Sequence, residues 1–174
     1  MLPFTPILFI ILTVITMDGI HAAPLAASEV LTALRDDIPR IVGAARADLH
    51  QPNVLLKDAV RDYMQIPDGT PTEVDGHTLI SGCRPHSCDE KSAALIDHAS
   101  HHVQAIGIRH FHCSQGPAGP VACDRDATLL MVLVQRAGQG TASEPVLRQQ
   151  LERWAARFGT GHEEIRRLPA PPLP

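Results

Sequence analysis

The chain predicts an α+β domain built on a mainly antiparallel sheet of about five strands. Apolar residues at helical spacing are confined to its two ends. Runs with strand chemistry fill the middle. The connections between those runs are too short for parallel crossovers, and the order is not an alternation of βαβ units.

The elements read as follows. Pro6 to Ile15 is an apolar run, and Ala22 and Ala23 supply small residues after it. This pattern predicts a signal peptide over residues 1–22, with no Lys or Arg ahead of the apolar run. The run is too short for a comfortable transmembrane span, so no membrane association is expected after cleavage. No cysteine near the cut offers a lipid attachment site. About 150 residues would remain, enough for one domain with one core, over 23–165.

From Ser28 to Ala45, the residues Val30, Leu31, Leu34, Ile38, Ile41 and Val42 mark a helix interrupted by Pro39. Val54 to Met64 repeats the signal through Leu55, Leu56, Ala59, Val60 and Tyr63. A breaker cluster at 66–71 follows. Thr72 to Val74, the turn pair Asp75-Gly76, and His77 to Ser81 read as a hairpin. Ala93 to Asp97 is the next strand, Val103 to Ile108 the return after a polar turn, and Gly116 to Pro120 a loop. Thr128 to Val134 is almost wholly apolar, as expected of a strand covered on both faces. Glu144 to Phe158 carries one stripe, Leu147, Leu151, Trp154 and Phe158, with Ser143 able to cap its start and Gly159 after its end. That stripe reads as core. The Pro-rich stretch 166–174 is expected to be a disordered tail.

Charge narrows the function. Removing Asp18 with the leader leaves 18 acidic against 15 basic residues, a net charge of −3 with neutral histidines. A nucleic-acid partner is not expected, because that demands a basic face. A basic protein partner is compatible, and a homodimer stays open.

Cys83, Cys88, Cys113 and Cys123 are even in number and follow an export signal, so disulfides are the default. Three connectivities are possible. Cys83–Cys88 with Cys113–Cys123 is preferred, because each pair flanks a turn-rich loop. Zinc fits poorly, since Cys-x9-Cys does not resemble the usual second ligand pair. The six residues Cys83-Arg84-Pro85-His86-Ser87-Cys88 stand out. Closed by a disulfide, they would present one imidazole beside one proline at a stiffened tip. A ring this small contributes only about 2 kcal/mol by chain entropy, so it shapes a tip more than it holds a fold.

This segment resembles the inhibitor of vertebrate lysozyme family, periplasmic proteins whose hallmark loop reads Cys-Lys-Pro-His-Asp-Cys. The surroundings are similar too. A strand enters through Leu79-Ile80-Ser81-Gly82, a second leaves through Ala93 to Asp97, and a third runs through Ala105-Ile106-Gly107-Ile108. The likeness spans about residues 60–135. It implies a curved antiparallel sheet with helices on one side, and inhibition of c-type lysozyme by insertion of loop 83–88, with His86, into the enzyme's cleft. This sequence departs from the family pattern at Ser87, which stands for the aspartate, and at Arg84, which keeps the lysine's charge with another geometry. The Cys113–Cys123 segment looks like an addition.

Two rivals come from the same residues. His98, His101, His102, His110 and His112 crowd into fifteen positions, and imidazoles suit zinc, copper and nickel. The first rival is therefore a protein of the same fold that does not inhibit lysozyme and binds another ligand, with a transition metal held by the histidine cluster as one candidate. No Asp or Glu completes an evident ligand set, and neither metal nor cofactor is expected. The second is a hydrolase with His86 as base and Ser81 or Ser87 as nucleophile. Neither serine sits in a strand-to-helix elbow, so no catalytic residue is assigned.

Overall fold

The computed structural model describes residues 25–26, 30, 33–115, 121–135 and 143–170. The proposed leader 1–22, the loop 116–120 and residues 171–174 lie outside the described residues. In chain order the elements are a π-helical turn (Ala33–Asp37), α1 (Ile38–Val42), β1 (Arg46–Ala47), β2 (Val54–Leu55), α2 (Leu56–Tyr63), β3 (Ile66–Pro67), β4 (Thr72–Val74), β5 (His77–Arg84) and β6 (Ser87–Asp97). There follow β7 (Val103–His110), β8 (Cys113–Gln115), β9 (Val121–Cys123), β10 (Thr128–Gln135), α3 (Ser143–Ala156) and β11 (His162–Pro169).

The α+β class and the mainly antiparallel sheet are observed. Among the described residues the main sheet has seven strands rather than about five, in the order β11-β10-β7-β6-β5-β3, with β4 also on β5. β1–β2 and β8–β9 are separate two-stranded pairs. The Asp75-Gly76 hairpin forms as expected, with φ of +45° and +77° at its two turn residues, the signs that a type I′ turn requires. Pro39 sits in the first turn of α1 instead of breaking a longer α-helix. It lacks an N–H to donate, and the chain changes from π to α geometry just before it.

The helices are not on one side. Ile80, Ala94, Ile96, Ile106, Ile108, Leu130, Val132 and Val134 pack with the N-terminal helices. Their odd-numbered neighbours Leu79, Ala93, Leu95, Ala105, Leu129, Met131 and Leu133 pack with Leu147, Leu151, Trp154 and Ala155 of α3. Successive strand residues point to opposite faces. Strands that are apolar in both registers therefore need a cover on each face, and a single helical layer supplies only one.

The tail is also corrected. Residues 166–169, expected to be disordered, belong to β11, which pairs in parallel with β10 from Thr128↔His162 to Gln135↔Pro169. The segment between these strands includes α3, so this connection is long enough for a parallel crossover. β11 is an edge strand. It tolerates Glu163, Glu164 and a terminal Pro169, because it needs partners on one side only. Ile165 and Leu168 pack against the two opposite core faces.

Glycine at 82 lets the helical layer approach β5 just before the Cys83 ring. A Cβ built there would lie 2.7 Å from the Met64 Cα and 2.9 Å from the Ile66 carbonyl oxygen. These are backbone atoms and cannot rotate aside. Gly82→Ala is expected to destabilise the protein by about 1–3 kcal/mol, measured by chemical denaturation. Unchanged stability would show that α2 and β3 do not press on this strand.

Candidate functional site

The six-residue motif is a hairpin tip. Arg84 ends β5 and pairs with Ser87, which begins β6. Pro85 and His86 form the two-residue turn. Proline presets the first position, and His86 has φ +65° at the second, the arrangement of a type II turn. Cys83 and Cys88 are bonded, with Cα atoms 4.8 Å apart. Cys113 and Cys123 are bonded as well, across the β8–β9 pair. Cys83 is buried, whereas His86 and Cys88 are exposed. The imidazole therefore stands in solvent on a backbone held by proline, disulfide and strand pairing.

The register across the ring is uneven. Cys83 pairs with Lys91, but the adjacent Arg84 pairs with Ser87. Cys88, Asp89 and Glu90 are thus extra residues on β6, a bulge that re-aims side chains. Asp89 faces out. Glu90 turns in and is only 5% exposed. A buried carboxylate needs partners. Arg84 Nη1 donates to Glu90 Oε2 at 2.6 Å, Tyr63 Oη donates to Oε1 at 2.9 Å, and the Ser87 hydroxyl also bonds it. Arg84 reaches back to α2 as well, with Nε 3.0 Å from Asp62 Oδ2. The chain of contacts ends at His50, whose Nδ1 lies 2.7 Å from Tyr63 Oη.

These contacts set the protonation states. Burial pushes the Glu90 carboxyl up, but bonds from Arg84, Tyr63 and Ser87 outweigh it and hold it below its ordinary range. Burial, reinforced by the Glu90 charge, pushes the Tyr63 phenol up. Tyr63 therefore keeps its proton and donates a hydrogen bond to Glu90. Burial and the Arg84 charge push the His50 imidazole down.

The ring residues consequently have different tasks. His86 is the exposed tip and Pro85 its backbone constraint. Arg84 and Ser87 turn inward and fix the base. The Ser81 hydroxyl donates to the Asp68 carbonyl at 3.2 Å, and Ser87 is engaged with Glu90. Neither is arranged as a nucleophile activated by His86.

Behind the bulge, Arg109 donates through Nε to the Gly159 carbonyl and through Nη2 to the Phe158 carbonyl, each at 2.8 Å. Its Nη1 donates to the Asp89 carbonyl. One guanidinium thus satisfies carbonyls after the last turn of α3 and the backbone of the bulge. Lys91 sits 4.4 Å above the Phe158 ring and 3.0 Å from Asp68 Oδ2. The hairpin base is held from both faces of the sheet.

The crowded histidines separate in space. His98 lies 2.5 Å from Glu73 Oε2 and 3.0 Å from the Thr78 hydroxyl. His102 meets the buried Asp37 carboxylate at 2.7 Å. His101 and His112 are exposed. His110 is 2% exposed, and among the described residues neither ring nitrogen has a hydrogen-bond partner of good geometry. Among the described residues, no three His, Cys, Asp or Glu side chains gather as a metal site would require.

The motif pointed to the tip, but not to its anchors, Asp62, Tyr63, Glu90 and His50. Glu90 did leave a signal. It shares a strand face with Ser92, Ala94 and Ile96, so a charge stands in an inward register. Tyr63, the only tyrosine of the chain, was legible as core but not as a donor.

Glu90→Gln is expected to cost about 1–3 kcal/mol at neutral pH, because Arg84 loses a charged partner. The acid response should change too. The Glu90 carboxyl is depressed in the fold, so its contribution is present above its unfolded value near 4.5 and is lost as pH falls through the lower folded value. Stability against pH should therefore flatten below pH 4.5 in this variant. An unaltered acid limb would show that Glu90 is not held by these bonds. His110→Leu should raise stability by about 1 kcal/mol, since it removes unpaired buried nitrogens. Burial holds this imidazole below its ordinary 6.5. The wild type therefore loses stability as pH falls through the window below 6.5, and the variant should lose less, as read by melting temperature against pH.

No protein-family model, curated protein or solved structure matches the chain, so the geometry of the ring and its anchors is what bears on function.

Proposed function

We propose that this protein is a secreted or periplasmic inhibitor of c-type lysozyme, a member of the inhibitor of vertebrate lysozyme family that places His86 in the enzyme's catalytic cleft. The observation that carries this reading is the tip itself: an exposed imidazole at a Pro-His turn, closed by a disulfide and anchored below by a buried ion pair. The two disulfides and the apolar leader are compatible with export to an oxidising compartment.

Lysozyme-type glycosidases work with two carboxyl groups, a protonated general acid and an ionised nucleophile or stabiliser. An imidazole presents two nitrogens in different directions and can bond both groups at once. In its protonated form each bond gains charge assistance. The same insertion excludes the saccharide. The tip suits this task because its backbone freedom is already spent in the free protein. The loss of entropy on binding is then small, and more of the contact energy appears as affinity. Arg84 and Ser87 serve this pose through Glu90 rather than by touching the enzyme. The protein is not an enzyme in this reading, and it needs no metal or cofactor.

Purified mature protein at micromolar concentration is expected to slow turnover of a cell-wall substrate by c-type lysozyme. No loss of rate would sink the proposal. His86→Ala should weaken inhibition by about 2–3 kcal/mol, roughly 30- to 150-fold, with an unchanged melting temperature because the side chain is exposed. An unchanged inhibition constant would remove His86 from the mechanism.

A further inference from the structure

Two disulfide hairpins leave the sheet at the same end. The Cys83–Cys88 tip joins β5 to β6, and the β8–β9 hairpin joins the end of β7 to the start of β10. Lys91 pairs with Arg109 and Thr128 with His110, which puts both connections beyond the same edge of the sheet. The second hairpin is drawn toward the first through the loop after β1. The Cys113 amide donates to the Leu49 carbonyl at 3.2 Å, and the neighbouring His50 is the last member of the Glu90–Tyr63 chain. Between the second hairpin and this loop lies an open cavity of about 340 Å³, lined by His50, Gln51, Pro52, Cys113 and Val121. Val121 is 57% exposed, one of three large apolar side chains so exposed among the described residues.

The hydrogen-bond directions settle the form of His50. Glu90 is ionised and can only accept, so Tyr63 Oη spends its single proton on Glu90. The Tyr63 oxygen must then accept from His50, which places the neutral imidazole's proton on Nδ1. Nε2 carries the lone pair, and it has no partner among the described residues. Burial and the Arg84 charge favour this neutral form.

We infer that His50 and the β8–β9 hairpin form a second arm of the partner-binding face, in which Nε2 of His50 accepts a hydrogen bond from a donor group of the protein that takes His86 while Val121 packs against that protein's apolar surface. The inference rests on the inhibitor reading and deepens it. It assigns the added hairpin a role, and it makes the Glu90–Tyr63 chain a positioning device for both arms. A basic or amide-bearing segment fits the site, whereas a carboxylate does not, because the site offers a lone pair.

Three measurements test it on the full mature protein. Long-range nitrogen-15 NMR of the free protein should show His50 with its proton on Nδ1 at neutral pH. A proton on Nε2 overturns the site irrespective of any lysozyme. His50→Asn keeps a donor at the Nδ1 position for Tyr63 and leaves no acceptor at the place of Nε2, and Val121→Asp alters an exposed side chain. Each should raise the inhibition constant against c-type lysozyme by about tenfold with melting temperature unchanged. Unchanged inhibition in either variant, in a protein that inhibits, overturns the second arm and leaves the role of His86 intact. If His50→Asn lowers the melting temperature, Val121→Asp decides. Wild-type protein that does not inhibit overturns the function reading and, with it, the partner assigned here.

Discussion

Glu90 is a carboxylate with almost no access to water at the point where β6 rejoins the sheet, and the rest of the site depends on how that charge is satisfied. An isolated ionised group there would be strongly unfavourable. Arg84, Tyr63 and Ser87 satisfy it from three directions. Each of those partners belongs to a different feature: the first strand of the hairpin, the helix beneath it, and the start of the returning strand. Meeting the demands of one carboxylate therefore fixes the relative position of three elements. A buried ion pair of this kind adds little net stability, because desolvation cancels much of the attraction. What it does well is specify a single arrangement, and a rigid tip needs that more than it needs extra stability.

The three-residue bulge is what brings Glu90 inward. Without these extra residues the hairpin would continue in plain register from Arg84↔Ser87, with Cys88 directly opposite Cys83; with them, Lys91 takes that place and the disulfide closes across the bulge. The bulge exposes backbone that the ladder cannot pair, and Arg109 takes up one of its carbonyls from the opposite face. Arg109 also binds the two carbonyls that follow α3. The tip is thereby coupled to both helical layers, to α2 through Tyr63 and Asp62 and to the end of α3 through Arg109. The two-sided sheet is what makes this coupling available.

Much of the fold was readable in advance. The Asp75-Gly76 turn, the helical stripe of α3 and the fully apolar β10 each rest on local physics: positive φ at a turn, a 3.6-residue period, and a run too apolar for a wet face. Both disulfides also followed from local spacing, because each cysteine pair flanks a turn. The tip was legible for the same reason. Its residues are adjacent in sequence, and proline and histidine at a two-residue turn leave few conformations.

What the sequence by itself determined was therefore local: the α+β class, most of the elements, a preferred cysteine pairing and the exposed His86. Only the tertiary structure decided which helices cover which face, that residues 166–169 form a parallel edge strand, and that Arg84 turns inward. It also separated the histidines, which crowd in sequence but lie at opposite ends of β7, three in the turn before it and two at its far end. The physical reason is the same in each case. These outcomes depend on charges and apolar surfaces from residues far apart in the chain, and Arg84 has no preferred direction until Glu90 and Asp62 are in place to receive it.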